Sequence, residues 1–141
     1  MSRVYWDSML FIYWIEDHPT YASRLARILE SMRERGDTLC TSTFTMGEVL
    51  SGAYKRNDSA LASRIREVFA DPEIETLPFT TTTADTYALI RAQLGFSPPD
   101  AIHLASAAEA KADVFLTNDN ALVGKRVPGI QFVAKIDTDL F

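Results

Sequence analysis

The chain has 141 residues, 47% of them apolar and 23% charged, with a formal net charge of −5. That length fits one domain, residues 1–141, with one hydrophobic core and no need of staples. A single cysteine, Cys40, excludes an internal disulfide and a CxxC zinc site, and makes a reducing cytoplasm the default compartment. The acidic balance excludes a general nucleic-acid coating protein, which would present a basic surface.

Arg3 followed by the apolar stretch Met9 to Ile15 imitates a secretion signal only loosely. Asp7 interrupts it, and Glu16-Asp17 follow where small residues would be needed. No apolar run approaches the ~20 residues of a membrane helix. Val4-Tyr5-Trp6 reads as a short buried strand running into an apolar helix from Ser8 to Glu16. Pro19-Thr20 opens a second helix, with Tyr21, Leu25, Ile28, Leu29 and Met32 at helical spacing and Gly36 as its stop. Thr38 to Thr41 is the second strand, followed by a helix from Thr43 to Tyr54. A further helix carries Leu61, Ile65, Val68 and Phe69 on one face and ends at Asp71-Pro72. Glu73 to Leu77 is the third strand and Thr82 to Leu94 a helix closed by Gly95.

Ser97-Pro98-Pro99 starts the next helix, with proline in its first turn. Its Ala101, Ala105, Ala108 and Ala112 give it a small-residue face for close approach to a sheet. Val114 to Thr117 is the fourth strand, a short helix follows Asp119, and Ile130 to Val133 is the fifth strand. Strands alternating with helices along the whole chain specify an α/β fold, a parallel sheet covered on both faces. Its ligand crevice is expected beyond the carboxyl ends of the strands.

Four acids occupy such places. Asp7 follows the first strand, Asp119 follows the fourth, Glu48 lies early in the helix after the second, and Asp100 in the first turn of the Pro98-Pro99 helix. Singly, each fits a helix-start role: Asp7 and Asp119 as N-caps, Thr45-Met46-Gly47-Glu48 as a capping box, Ser97-Pro98-Pro99-Asp100 as an approximate one. Together, they would repel one another unless cations sit among them. All-oxygen ligands suit a hard ion, Mg²⁺ or Mn²⁺. Spacing alone does not set Asp85 apart, because Thr82-Thr83-Ala84-Asp85 is a similar helix start.

A resemblance does. Val4-Tyr5-Trp6-Asp7-Ser8, Thr45-Met46-Gly47-Glu48-Val49, Pro99-Asp100-Ala101-Ile102-His103-Leu104-Ala105 and Phe115-Leu116-Thr117-Asn118-Asp119 occur in order and at spacing similar to the PIN domains of VapC-type toxin ribonucleases. The departure is Trp6, where smaller aliphatic residues are commoner. The resemblance implies a three-layer sandwich around a central five-stranded parallel sheet in the order 3-2-1-4-5. Asp85 would then follow an edge strand, away from the cleft. It also implies Asp7, Glu48, Asp100 and Asp119 as ion ligands and catalytic acids, Mg²⁺ or Mn²⁺ as cofactor, endoribonuclease activity, and a cognate antitoxin.

Thr117 and Ser8 are candidates to support a ligating carboxylate or a bound water. His103, three residues after Asp100, shares its helix face and is a candidate phosphate contact or proton relay. Lys55, Arg56, Arg64 and Arg66 read as solvated charge rather than phosphate contacts. Phe11, Tyr13, Trp14 and Tyr21 predict an apolar surface on the first two helices, covered by a second copy in a homodimer or by an antitoxin. Competing readings are a DNA or flap nuclease, a non-catalytic PIN-like module, and a receiver-like Mg²⁺-binding regulatory module. The receiver reading wants paired acids after the first strand, but serine follows Asp7.

Overall fold

The computed structural model describes all residues, Met1–Phe141. Its strands are β1 (Arg3–Trp6), β2 (Thr38–Ser42), β3 (Ile74–Leu77), β4 (Val114–Thr117) and β5 (Phe132–Lys135). Its helices are α1 (Ser8–Ile15), α2 (Ala22–Arg35), α3 (Thr43–Lys55), α4 (Ser59–Phe69), α5 (Thr81–Leu94) and α6 (Pro98–Glu109). The five strands form one sheet, order β3-β2-β1-β4-β5, and every pairing is parallel. No helix is long and apolar enough to cross a membrane.

Alternation along the central strands sorts the core into two halves. Val4, Trp6, Val114 and Leu116 face one way and pack with residues of α1, α2, α3 and α4. Tyr5, Cys40, Phe115 and Val133 face the other way and pack with α5 and the alanines of α6. The three-layer arrangement follows directly. Trp6 is fully buried, its ring 5.5 Å from Phe11 and 5.9 Å from Trp14 between centroids, so the α1 side of the core is built around the larger side chain.

α1 and α3 begin directly at the carboxyl ends of β1 and β2, and α6, which runs back to the start of β4, begins at the same end, where its His103 reaches Tyr5 and Glu48. The other end is tied by polar contacts: the Arg3 amide donates to the Asp113 carboxylate at 2.7 Å and the Ser2 amide to Asp37 at 2.8 Å.

Two sequence expectations are corrected. The fifth strand is Phe132–Lys135, not Ile130 to Val133, because Gly129 and Ile130 belong to the turn closed by Ile130 N–H to the Val127 carbonyl at 3.1 Å. Ile130 is apolar because it fills the α6 side of the core. The segment after Asp119 is a turn and not a helix. Gly124, at φ +76°, breaks it, and the Gly124 amide is taken by the Val133 carbonyl of β5 at 3.1 Å.

The aromatic residues of α1 also differ from expectation. Phe11 is core, packed on Phe69 at 4.9 Å, and Tyr13 packs tilted against His18 and Tyr21 at 4.8 Å each between centroids, so they close on one another rather than forming an open patch. The large exposed apolar side chains are elsewhere, among them Tyr54, Leu89 and Phe132. Three of the basic residues brace the helices: Arg56 pairs with Glu16 at 2.7 Å, Arg64 donates to the Ile15 carbonyl, and Arg66 to the Tyr54 hydroxyl at 3.0 Å.

The turn before β5 is pressed against α6. A Cβ on Gly129, which has φ +94°, would stand 3.0 Å from the Ala108 carbonyl oxygen. Gly129→Ala combines left-handed strain with a backbone clash, and a loss of about 1–3 kcal/mol is expected in urea unfolding.

Candidate functional site

At the carboxyl end of the sheet two clusters of polar side chains meet. The first is built on β1 and β4. Asp7 is the residue before α1 but makes no side-chain cap bond. Instead its Oδ2 accepts a hydrogen bond from the Thr117 hydroxyl at the end of β4. The same hydroxyl accepts from the Asp119 amide at 3.0 Å, and Asp119 Oδ1 accepts from the Ala121 amide at 2.9 Å. Thr117 thus couples the two strand-end acids. Asp7 Oδ1 is buried and has no hydrogen-bond partner.

The second cluster joins α1, α3 and α6. The N-cap of α3 is Ser42, whose hydroxyl accepts from the Thr45 amide at 3.2 Å. This corrects the capping-box alternative for Thr45 and Glu48, since helix capping is done three residues earlier and the Glu48 carboxylate is left for other partners. Glu48 Oε1 accepts from the Ser8 hydroxyl and lies 2.6 Å from His103 Nε2. On the other side of its ring, His103 Nδ1 is 2.9 Å from the Tyr5 hydroxyl. His103 is buried. Its position one helical turn after Asp100 places Asp100 at the same end of the sheet.

Asp7, Glu48, Asp100 and Asp119 thus stand at one end of the sheet. Asp85 is exposed on the helix that follows the edge strand β3. No three His, Cys, Asp or Glu side chains are closed around one point as a preformed ion cage. The direct links are Asp7–Thr117–Asp119 and Ser8–Glu48–His103, while Asp100 joins them through its helix position. The Tyr5, Thr41, Ser42 and Thr45 hydroxyls behind His103 were missed in sequence. Thr41 donates to the Trp6 carbonyl at 2.9 Å and to Thr45 at 2.8 Å. The only signal was a run of hydroxyl residues, Thr41-Ser42-Thr43, at a strand end.

The PIN domain family profile matches residues 4–127. The chain belongs to the PIN domain family. Solved structures agree with this PIN fold. VapBC2 from Rickettsia felis, bound to a DNA fragment from its promoter, matches at TM-score 0.76 and 19% identity over 94% of this chain and 98% of that one. DNA-bound VapBC from Salmonella typhimurium matches at TM-score 0.68 and 25% identity over 96% and 99%. VapC20 from Mycobacterium tuberculosis, a sarcin-ricin loop cleaving toxin, matches at 0.65 and 14% over 79% and 86%. No curated protein matches the chain significantly.

The two best-connected acids of this PIN domain are shifted in opposite directions. Burial raises the pKa of Asp7, and the Thr117 hydrogen bond, the charge of His103 and the Leu10 and Met9 amides at the start of α1 only partly offset it. Burial also acts to raise Glu48, but the hydrogen bonds from His103 and Ser8 and the His103 charge outweigh it, and Glu48 lies below the usual carboxylate range. Mutual repulsion of the acids, the cause expected from sequence, is not what sets either shift.

Asp7, raised in the folded state, begins to destabilise as pH rises through its unfolded value near ~3.9 and does so fully above its folded value. Glu48 stabilises above its unfolded value, and that contribution is lost as pH falls through its lowered folded one. In EDTA, Asp7→Asn of the PIN domain should therefore be more stable than wild type at pH 7, because asparagine keeps the shape and the Thr117 bond but removes the buried charge. The difference should vanish below about pH 3.5, where Asp7 is protonated in both states. Thermal melts across pH 3–8 check this, and a constant difference at every pH would contradict it.

Proposed function

We propose that this PIN domain is a metal-dependent endoribonuclease, the toxin of a type II toxin–antitoxin pair. The carrying observation is Asp7: a buried carboxylate whose Oδ1 has no partner in the chain, at the sheet end that also bears Glu48, Asp100 and Asp119. A buried unpaired carboxylate oxygen is costly unless a cation meets it. The donor set is all oxygen, which fits Mg²⁺ or Mn²⁺. When bound, such an ion holds a phosphate, lowers the pKa of water and offsets charge on the leaving oxygen.

The protein's own part is positioning. Asp7, fixed through Oδ2 by Thr117, would hold the ion through Oδ1. Glu48, fixed through Oε1 by Ser8 and His103, would hold it or the attacking water through Oε2. Asp100 and Asp119 would supply further oxygens at the rim. No side-chain nucleophile is then required, and the hydrolysed bond is an RNA phosphodiester.

RNA as substrate is supported by the likeness to VapC20, described as a sarcin-ricin loop cleaving toxin. An antitoxin partner is supported by the likeness to VapBC assemblies. A second copy of the chain, and a cytoplasmic setting, complete the reading; the exposed Tyr54, Leu89 and Phe132 are surfaces available to such partners.

The test is cleavage of a panel of structured RNAs. Wild type should cut in millimolar Mg²⁺ or Mn²⁺ and not in EDTA. Asp7→Asn and Glu48→Gln should each lower the rate at least about 100-fold while remaining folded, since each loses a charge that holds the ion. Undiminished cleavage in excess EDTA would refute the chemistry. Ion binding with no cleavage of any RNA would make the chain a non-catalytic PIN-like module.

A further inference from the structure

His103 is buried between two fixed partners on opposite edges of its ring. Nδ1 lies 2.9 Å from the Tyr5 hydroxyl and 3.4 Å from that of Thr45. Nε2 lies 2.6 Å from Glu48 Oε1 and 3.2 Å from the Ser8 hydroxyl. The carboxylate only accepts, so Nε2 must carry the hydrogen on that side whether the ring is neutral or charged. The Tyr5 hydroxyl suits both states. It donates to a bare Nδ1, or accepts from Nδ1–H and turns its own hydrogen to Ser42, 3.0 Å away. Tyr5 is fully buried and stacked on Phe115 at 5.1 Å between centroids, so it offers a rigid anchor.

The donors on Glu48 both converge on Oε1. Oε2 is left without an intramolecular donor. Fixing one oxygen of a carboxylate from behind, so that the other is free for an ion, is how outer-shell groups raise metal affinity. Phosphate contact, the alternative role expected from sequence, is not open to a ring with both nitrogens occupied below the surface.

We propose that His103 is a positioning residue, anchored by Tyr5 through Nδ1, whose Nε2–H holds Glu48 Oε1 and sets the free oxygen for the ion. This rests on the reading of Glu48 as an ion ligand. It adds Tyr5, wholly inside the core, as a determinant of ion affinity.

Asparagine and glutamine separate the two edges of the ring. The amide nitrogen of glutamine falls near the Nε2 position and that of asparagine near Nδ1. Mn²⁺ affinity is measured by calorimetry on the purified full chain for wild type, Glu48→Gln, His103→Gln and His103→Asn, with melting curves for each. His103→Asn should bind Mn²⁺ about 10- to 100-fold more weakly, the usual effect of losing an outer-shell partner. His103→Gln should stay within about threefold of wild type, since it restores the donor to Oε1.

Wild-type affinity in His103→Asn, or equal weakening in both variants, would overturn the proposal. If His103→Asn does not fold, Tyr5→Phe carries the comparison, because it keeps the ring volume and removes only the anchor. A loss of about tenfold supports the proposal and wild-type affinity overturns it. Glu48→Gln separates the underlying reading. If it binds Mn²⁺ as wild type does, Glu48 is not a ligand and the failure belongs to the ion site rather than to His103.

Discussion

A carboxyl group at the end of the central strand is the constraint around which this PIN domain is arranged. β1 has a strand on each side and helices on both faces, so residues leaving it are still under cover. Asp7 is the first of them. Its Oδ2 is satisfied by Thr117, which requires β4 to pair alongside β1 in register, with Trp6 opposite Leu116. Its Oδ1 has no hydrogen-bond partner in the chain, and the Leu10 and Met9 amides nearby only temper its charge. The packing that stabilises the sheet is the same packing that leaves this oxygen dry.

Glu48 has the opposite environment. It is partly exposed, and its hydrogen-bond partner is supplied internally, His103 Nε2 at 2.6 Å. The bridge is unusual in where it runs. His103 belongs to α6, on one face of the sheet, while Ser8 and Glu48 belong to α1 and α3, on the other. The two helical layers therefore touch over the carboxyl edge of the sheet through one imidazole. Electrostatics and layer geometry are coupled there, since a shift of α6 relative to α3 would change the environment of Glu48.

What was legible in the sequence had short-range causes. The alternation Val4-Tyr5-Trp6 and the helical spacing in α2 and α4 located strands and helices, because burial on a strand or helix face leaves a periodic trace. The acids at strand ends were legible because strand ends are. Strand order came from family resemblance and is matched by the pairing. The link between Tyr5 and His103 was not legible, since it joins residues 98 apart and depends on which way each side chain leaves its element. The same holds for Glu48, whose neighbourhood in sequence looks like a cap until Ser42 is seen to do the capping. The misplaced fifth strand shows the complementary failure. Ile130 is apolar for reasons of packing, and an apolar residue in a turn is indistinguishable by composition from one in a strand.

The pairing of β1 with β4 also has a consequence in time. Asp7 and Thr117 are separated by 110 residues. At the ordinary pace of translation, a few to twenty residues per second, that interval lasts between about 5 and 20 s. During it the nascent chain can form α1 to α4 and the pairings of β2 with β1 and with β3, but Asp7 has no β4 beside it, His103 appears only late, and the acids are not yet a group. The carboxyl end of the sheet, where the four acids stand, is thus completed only as the last quarter of the chain emerges. A ribosome making this protein carries a partly folded precursor, its strand-end acids not yet brought together, for most of the elongation cycle.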